Sequence, residues 1–133
     1  MKILLLHLFF AISLTTIAQE NLSLNQNTET EKLTLYKEKA HASYYHDKFN
    51  GRKTASGARF DNSKLTAAHK KLPFGTQLKI TNEANQKFII VKITDRGPFI
   101  NGREIDLSKK AFMDITSNKK SGGIIVKIEI IEK

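Results

Sequence analysis

Apolar residues occupy every second position in several short stretches of this chain, and this spacing restricts the fold more than any other feature. Leu78 and Ile80 alternate with polar residues, and within residues 124–130 the apolar face lies opposite Lys127 and Glu129. Successive side chains of a β-strand point to opposite faces, so each stretch predicts a strand with one buried face.

Turn residues divide the chain into five or six such strands and one short helix. Ser108 is a good N-cap for a helix that runs through Phe112 and Met113. So many short strands within about 90 residues predict a small closed β-barrel. We interpret residues 42–45, 77–81, 87–94, 104–107 and 124–130 as extended, and residues 65–69 as either extended or helical.

The first residues have the pattern of a secretory signal peptide. Lys2 precedes an almost wholly apolar run at residues 3–14, and Thr16-Ile17-Ala18 supplies the small residues of a cleavage site. The run is well short of the roughly 20 residues that span a bilayer, so we expect no stable membrane insertion. We therefore predict a signal peptide at residues 1–18 and a mature protein in the periplasm or outside the cell.

The rest of the chain is expected to form one domain behind a linker. Residues 19–39 are polar and contain neither glycine nor proline, which indicates a linker or a loosely formed helix, and residues 40–133 are predicted to form the barrel. The chain has no cysteine, so we expect no lipid-bearing cysteine, which argues against a lipoprotein, and no disulfide.

The formal net charge is +9 and the pI is about 9.8, which favours an anionic partner. Expected export argues against nucleic acid, whereas peptidoglycan carries carboxylates on its lactyl and peptide groups. The sequence leaves the oligomeric state open. We expect no metal or cofactor, because no pair among the four histidines has a clear ligand spacing: His7, His41, His46 and His69.

The segment Thr94-Asp95-Arg96-Gly97-Pro98-Phe99 follows the most apolar predicted strand. Alternation along this strand places Asp95 on the same face as Ile89, Val91 and Ile93, which is expected to be buried. A partly buried carboxyl group beside a turn suits general acid catalysis. The alternative is a turn residue that accepts hydrogen bonds from backbone amides.

Several linked motifs together resemble one family, the rare lipoprotein A group of septal-ring lytic transglycosylases. The resemblance covers about residues 42–131, and linked motifs in a fixed order are more specific than one short pattern. The motifs are Ala42-Ser43-Tyr44-Tyr45, Gly51-Arg52-Lys53-Thr54-Ala55-Ser56-Gly57, Phe60-Asp61, Leu65-Thr66-Ala67-Ala68-His69, Leu72-Pro73-Phe74-Gly75-Thr76, Asp95-Arg96-Gly97-Pro98-Phe99, and Gly102-Arg103 through Ile105-Asp106-Leu107-Ser108.

The resemblance implies an all-β fold, a small six-stranded double-psi β-barrel with one short helix. It also implies cleavage of peptidoglycan glycan strands without water, in which the 6-hydroxyl of the sugar displaces the leaving group and forms a 1,6-anhydro ring. One carboxyl group can serve as acid and then as base in such a reaction, whereas a hydrolase needs a second carboxylate.

The resemblance places Asp95, Asp61 and His69 in the cleft as the catalytic candidates, with Asp95 as the acid/base. The alternative for His69 is a polar residue with satisfied hydrogen bonds. We expect Asp106 to form a hydrogen bond near the helix start, and Arg103 to pair with a nearby carboxylate. The substrate-binding candidates are Arg96 for a muramyl carboxylate, Tyr44 and Tyr45 for stacking on sugars (one of the two being expected in the core), and Thr66.

The chain departs from the family pattern at Ala58, where the family usually has a glutamate that is a candidate catalytic residue. An alternative function is therefore a barrel that binds glycan without cutting it, as expansins do. A third class is a secreted inhibitor or partner-binding barrel whose basic face meets a protein.

Overall fold

The structure is a computed structural model that describes residues 30–133. The expected signal peptide, and residues 19–29 of the expected linker, lie outside the described residues. Within the described part, no helix is both long and apolar enough to cross a membrane.

Six strands form a closed barrel with one helix beside it, as predicted. Around the barrel the strands follow the order β1-β5-β2-β4-β3-β6, with β1 parallel to β5, β2 parallel to β4, and the other neighbours antiparallel. The elements are β1 (Lys32–Tyr44), β2 (Thr66–His69), β3 (Gln77–Asn82), β4 (Phe88–Asp95), β5 (Ile105–Leu107), α1 (Lys109–Ile115) and β6 (Ile124–Glu132), with a 3₁₀ turn at Asp47–Phe49.

The helix begins where the sequence predicts. The Ser108 hydroxyl accepts a hydrogen bond from the backbone N–H of Ala111, which is the capping interaction expected of serine at this position. Phe112 and Ile115 of α1 are fully buried, and the Phe112 ring packs on Tyr44 with 4.6 Å between centroids. The helix thus packs on the barrel against β4, β1 and β5.

The core consists of the apolar residues that alternate along the strands. Short alternating runs were sufficient to predict most of it, because branched aliphatic residues occupy most inward positions of β3, β4 and β6. The predicted core positions Ile80, Ile89, Val91, Ile93, Val126 and Ile128 are all buried, together with Leu78, Ile105, Leu107 and Phe112.

The expected linker is wrong over residues 32–39, which form the first part of β1. This segment pairs antiparallel with β6, from Lys32 opposite Glu132 to Leu35 opposite Glu129, and register shifts follow on both sides of Lys37. Leu35 remains largely exposed, and of this segment Tyr36 packs against the core. A strand that buries little apolar surface leaves only a weak hydrophobic pattern in the sequence.

Candidate active site

A β-bulge at the end of β4 decides where Asp95 points. Ala67 pairs with Ile93, but the next residue, Ala68, pairs with Asp95, so Thr94 is an extra residue in β4. A bulge interrupts the alternation of side chains. The expectation that Asp95 shares the buried face of Ile93 is therefore wrong.

Asp95 lies instead in a row of residues that crosses four neighbouring strands. Ser43 of β1 pairs with Asp106 of β5, Asp106 pairs with Ala68 of β2, and Ala68 pairs with Asp95. Paired residues of adjacent strands share a face, so Asp95 and Asp106 lie on one face of the barrel, two strands apart. At a strand spacing of about 4.8 Å, their Cα atoms are separated by roughly 10 Å, with the small Ala68 side chain between them.

Three donors converge on the Asp95 carboxylate. The Tyr45 hydroxyl donates to Oδ2 over 2.6 Å, and the backbone N–H groups of Ala55 and Arg96 both donate to Oδ1 over 2.9 Å. Because Oδ1 accepts two fixed amides, Oδ2 is the oxygen that is available for proton transfer. Its partner is a hydroxyl, which can donate or accept by rotation.

Tyr45 is held beside Asp95 by its aromatic ring. The ring packs on Phe60 with 4.4 Å between centroids and meets Phe49 edge-on at 5.7 Å. Burial, together with the hydrogen bond to Asp95, holds the pKa of the Tyr45 hydroxyl far above its ordinary value. The hydroxyl therefore keeps its proton at all physiological pH values.

Asp106 belongs to a second, saturated carboxylate site. It accepts a hydrogen bond from the Ser43 hydroxyl over 2.7 Å, and Arg103 Nη2 donates to both of its oxygens over 2.8 and 2.7 Å. The expected pairing of Arg103 with a nearby carboxylate is confirmed. Asp106 caps no helix; it supports the wall of the site on the side of β5.

A groove of about 240 Å³ lies next to the bulge, and Thr94 is among the residues that line it. Thr66 and Lys92, which pair across β2 and β4, line this groove. Its charges are three cations and one carboxylate, so its potential favours anionic groups. The residues that line it are Ala58, Arg59, Phe60, Asp61, Lys64, Thr66, Lys92 and Thr94.

Asp61 lies in the groove, but its hydrogen bonds keep it within its own turn. Its Oδ1 accepts from the backbone N–H of Ser63 over 2.9 Å and from the Ser63 hydroxyl over 2.6 Å. These hydrogen bonds hold the pKa of Asp61 below its ordinary value. Within residues 30–133, no hydrogen bond joins Asp61 to Asp95.

His69 is buried away from the groove, and both of its ring nitrogens are occupied. Nδ1 accepts from the backbone N–H groups of Lys71 and Leu72, both over 3.1 Å. Nε2 therefore carries the proton and donates to Glu104 Oε1 over 2.9 Å. This arrangement matches the alternative interpretation of a histidine with satisfied hydrogen bonds.

The sequence reasoning did not single out Glu104, which completes this buried polar cluster. The carboxylate also accepts from Lys37 Nζ over 2.8 Å. Partial burial acts to raise the pKa of Glu104, but the hydrogen bonds from Lys37 and His69 outweigh it and the pKa lies below its ordinary value. No motif indicated the cluster, because it depends on β1, β2 and β5 meeting at one end of the barrel.

Two of the expected substrate-binding residues have structural partners. The Arg96 guanidinium donates from Nη1 to the carbonyl oxygens of His69 over 3.3 Å and Leu72 over 2.9 Å, and lies 3.9 Å from the Phe74 ring centroid. Tyr44 packs against the core, as expected for one of the two tyrosines.

Comparison with known proteins identifies the family to which the chain belongs. A family model described as "Lytic transglycolase" matches residues 37–128, which is more than half of the chain. The chain belongs to the lytic transglycolase family. That match contains every residue of the Asp95 site and of the neighbouring groove.

Curated relatives of this chain carry the matching domain inside longer chains. It is 50% identical over 91 residues to the endolytic peptidoglycan transglycosylase RlpA of Pasteurella multocida, covering 68% of this chain and 31% of the relative. It is 46% identical over 99 residues to the protein of that name from Rickettsia felis, covering 72% and 43%. The chain thus spans less than half the length of these relatives.

Solved structures support the double-psi β-barrel fold of this chain. A Streptomyces papain inhibitor aligns with a TM-score of 0.57 at 20% identity, covering 76% of this chain and 96% of the inhibitor. An expansin of Clavibacter michiganensis aligns with a TM-score of 0.58 at 17% identity, covering 77% and 52%. At these identities the likeness concerns the fold alone.

The described residues also bear on metal binding. Between residues 30 and 133, no group of three or more histidine, aspartate or glutamate side chains is arranged to hold a metal ion.

Proposed function

We propose that this protein is a secreted peptidoglycan lytic transglycosylase that cleaves the MurNAc–GlcNAc bond and leaves 1,6-anhydro-muramyl ends. The observation that carries the proposal is the Asp95 carboxylate, held by two backbone amides on Oδ1 and by the Tyr45 hydroxyl on Oδ2. The family match and the names of the relatives support the substrate class.

In the first step, protonated Asp95 acts as a general acid. The proton on Oδ2 moves to the glycosidic oxygen as the bond from that oxygen to C1 of the muramyl sugar breaks. Before transfer, the Tyr45 hydroxyl accepts a hydrogen bond from the acid. After transfer it rotates to donate to the carboxylate, so the new negative charge is stabilised as it forms.

In the second step, the same carboxylate acts as a base. It removes the proton from the 6-hydroxyl of the muramyl sugar while that oxygen attacks C1 and closes the anhydro ring. Asp95 is then protonated again, as at the start, and no water is consumed. One carboxyl group is sufficient for this cycle, whereas inverting hydrolysis requires a second carboxylate to activate water.

The cationic groove next to Thr94 is the binding site that we propose for the glycan strand. Arg59, Lys64 and Lys92 provide positive charge for the lactyl and peptide carboxylates of peptidoglycan. Arg96, whose guanidinium is engaged with two carbonyl oxygens, holds the loop that carries the Asp95-binding amide instead of contacting the sugar.

The direct test is digestion of purified sacculi, followed by mass spectrometry of the released fragments. Products that are lighter by one water than hydrolysis products, and that carry anhydro-muramyl ends, are the expected result. Fragments with reducing ends would show a hydrolase instead.

A second candidate function is binding of glycan without cleavage, and Ala58 is the observation that favours it. Ala58 lines the groove with a methyl group at the position where the resembling family usually has a glutamate. Co-sedimentation with sacculi in the absence of any released fragment would establish this second function.

Substitution of Ala58 by glutamate should raise the cleavage rate about three- to tenfold. A carboxyl group at this position would face the groove beside Thr94 and Asp61 and add a proton donor or acceptor there. The rate of anhydro-muropeptide release measures the effect. Ala58→Gln is the matched control, because it adds similar volume without an ionisable group, and equal rates for both variants would contradict the prediction.

We further infer that the protein is exported and processed at its N-terminus. The basic start, the apolar run at residues 3–14 and Thr16-Ile17-Ala18 support cleavage after Ala18. Mass analysis of protein recovered outside the cytoplasm should give a chain that begins at Gln19. Recovery of the uncut chain in the membrane fraction would contradict this inference.

A further inference from the structure

Phe99 is the most exposed of the large hydrophobic residues in the described part of the chain. Its exposed fraction is 82%, and that of the next residue, Ile100, is 56%. The two preceding residues, Gly97 and Pro98, are buried. Exposed apolar groups of this kind mark interaction sites when they lie beside a functional centre.

The Phe99 ring lies against the loop that leaves the Asp95 site. Gly97 has a φ of +118°, and a Cβ placed there would lie 3.6 Å from the ring. One edge of the Phe99 ring thus lies against the Gly97 backbone, and most of the ring surface faces solvent. Phe99 follows Asp95 by four residues along the chain. A phenylalanine has only two side-chain torsions, so little entropy is lost when a ligand fixes it.

We propose that Phe99 is a stacking site for a sugar ring of the glycan strand, next to the bond that Asp95 cleaves. This inference rests on the proposed function and extends it to a defined subsite. The ring hydrogens of a β-1,4-linked glucosamine are axial, so each pyranose has an apolar face that packs on the face of an aromatic ring.

The exposed apolar patch that Phe99 and Ile100 form is small, and its size favours a single sugar as the ligand over a protein or a lipid surface. One phenylalanine and one isoleucine offer far less area than the roughly 800 Å² that each partner buries in a stable protein interface. Phe99 also lies only four residues after the proposed catalytic residue. Binding sites for small ligands combine such apolar groups with a few polar groups that fix orientation, here those around Asp95.

Phe88 provides a matched control within the same strand and loop region. It is also exposed, at 58%, but Lys79 Nζ lies 4.4 Å from its ring centroid and occupies one face. Phe88 begins β4 and Asp95 ends it, so the two lie roughly 23 Å apart along the strand.

The first experiment uses the absence of tryptophan from this chain. Phe99→Trp and Phe88→Trp each introduce a single fluorophore, and each variant is titrated with chitohexaose. We expect a saturable change in emission for Phe99→Trp and none for Phe88→Trp. No change at position 99, equal changes at both positions, or a response at position 99 to anionic lipid vesicles or to protein concentration alone would overturn the proposal.

The second experiment separates this subsite from the proposed function. Phe99→Ala should raise the KM for sacculi, or the Kd in co-sedimentation if the parent cuts nothing, about three- to tenfold. The kcat should stay within about twofold, because stacking contributes equally to the ground and transition states. Phe99→Tyr should restore parent behaviour. Parent values for Phe99→Ala, in a protein that still cleaves sacculi, would overturn the subsite and leave the proposed function standing.

Discussion

Asp95→Asn should lower the rate of anhydro-muropeptide release by about 100-fold or more. Asparagine keeps the shape of the side chain and an oxygen for the amides of Ala55 and Arg96. It removes the proton that must pass from Oδ2 to the glycosidic oxygen and return from the 6-hydroxyl. General acid–base catalysis typically contributes about 10²- to 10⁴-fold, so the loss should be of that order.

Asp61→Asn is the control for this prediction. Asp61 lines the neighbouring groove, but its carboxylate is bonded within its own turn, so the same chemical change should cost much less there. Initial rates on sacculi at matched enzyme concentration, with thermal melts to verify folding, give the comparison. An Asp95→Asn variant that works at the parent rate would remove Asp95 from the mechanism.

The second largest effect is expected for Tyr45→Phe, which should reduce the cleavage rate about 10- to 100-fold. A hydrogen bond to a charged group contributes about 1.5–3 kcal/mol, and each 1.36 kcal/mol in the barrier is a factor of ten in rate. The 2.6 Å hydrogen bond to Asp95 is the one lost, while the packing of the ring on Phe60 and Phe49 is retained.

Tyr44→Phe makes the identical chemical change one residue earlier. Tyr44 packs on Phe112 in the core, and its hydroxyl takes no part in the Asp95 site. We expect parent kcat for Tyr44→Phe and a lowered kcat for Tyr45→Phe, with similar urea midpoints for both. Equal rates for the two variants would show that the hydroxyl at Asp95 is dispensable.

The barrel was accessible to sequence reasoning because its core depends on local alternation. Val126 and Ile128 lie on the inward face of β6 simply because they are two residues apart with polar neighbours between them. The helix cap at Ser108 is equally local, since it depends on one side chain and an amide three residues later. Where burial is slight, as at Leu35, the same reasoning missed most of β1.

For the site residues, the sequence identified candidates but not their hydrogen-bond partners, because those partners are distant in the sequence. Motif resemblance identified Asp95 and Tyr45 as candidates, but not their hydrogen bond, which joins residues 50 positions apart. His69 was expected in the cleft, yet its ring lies in a polar cluster with Glu104, 35 positions away. The periodicity of one segment contains no information on which distant loop will pack over that segment.

The sequence by itself determined the class of fold, the position of the helix and the segment that carries the candidate acid, because alternation, capping and linked motifs are properties of short stretches. Only the tertiary structure decided which way Asp95 points. The extra residue at Thr94 appears only when β4 is paired with β2, and that pairing turns the carboxylate from the core to the face that it shares with Asp106. Strand register is a relation between distant segments, and it is settled by which pairing buries the core and satisfies the backbone together.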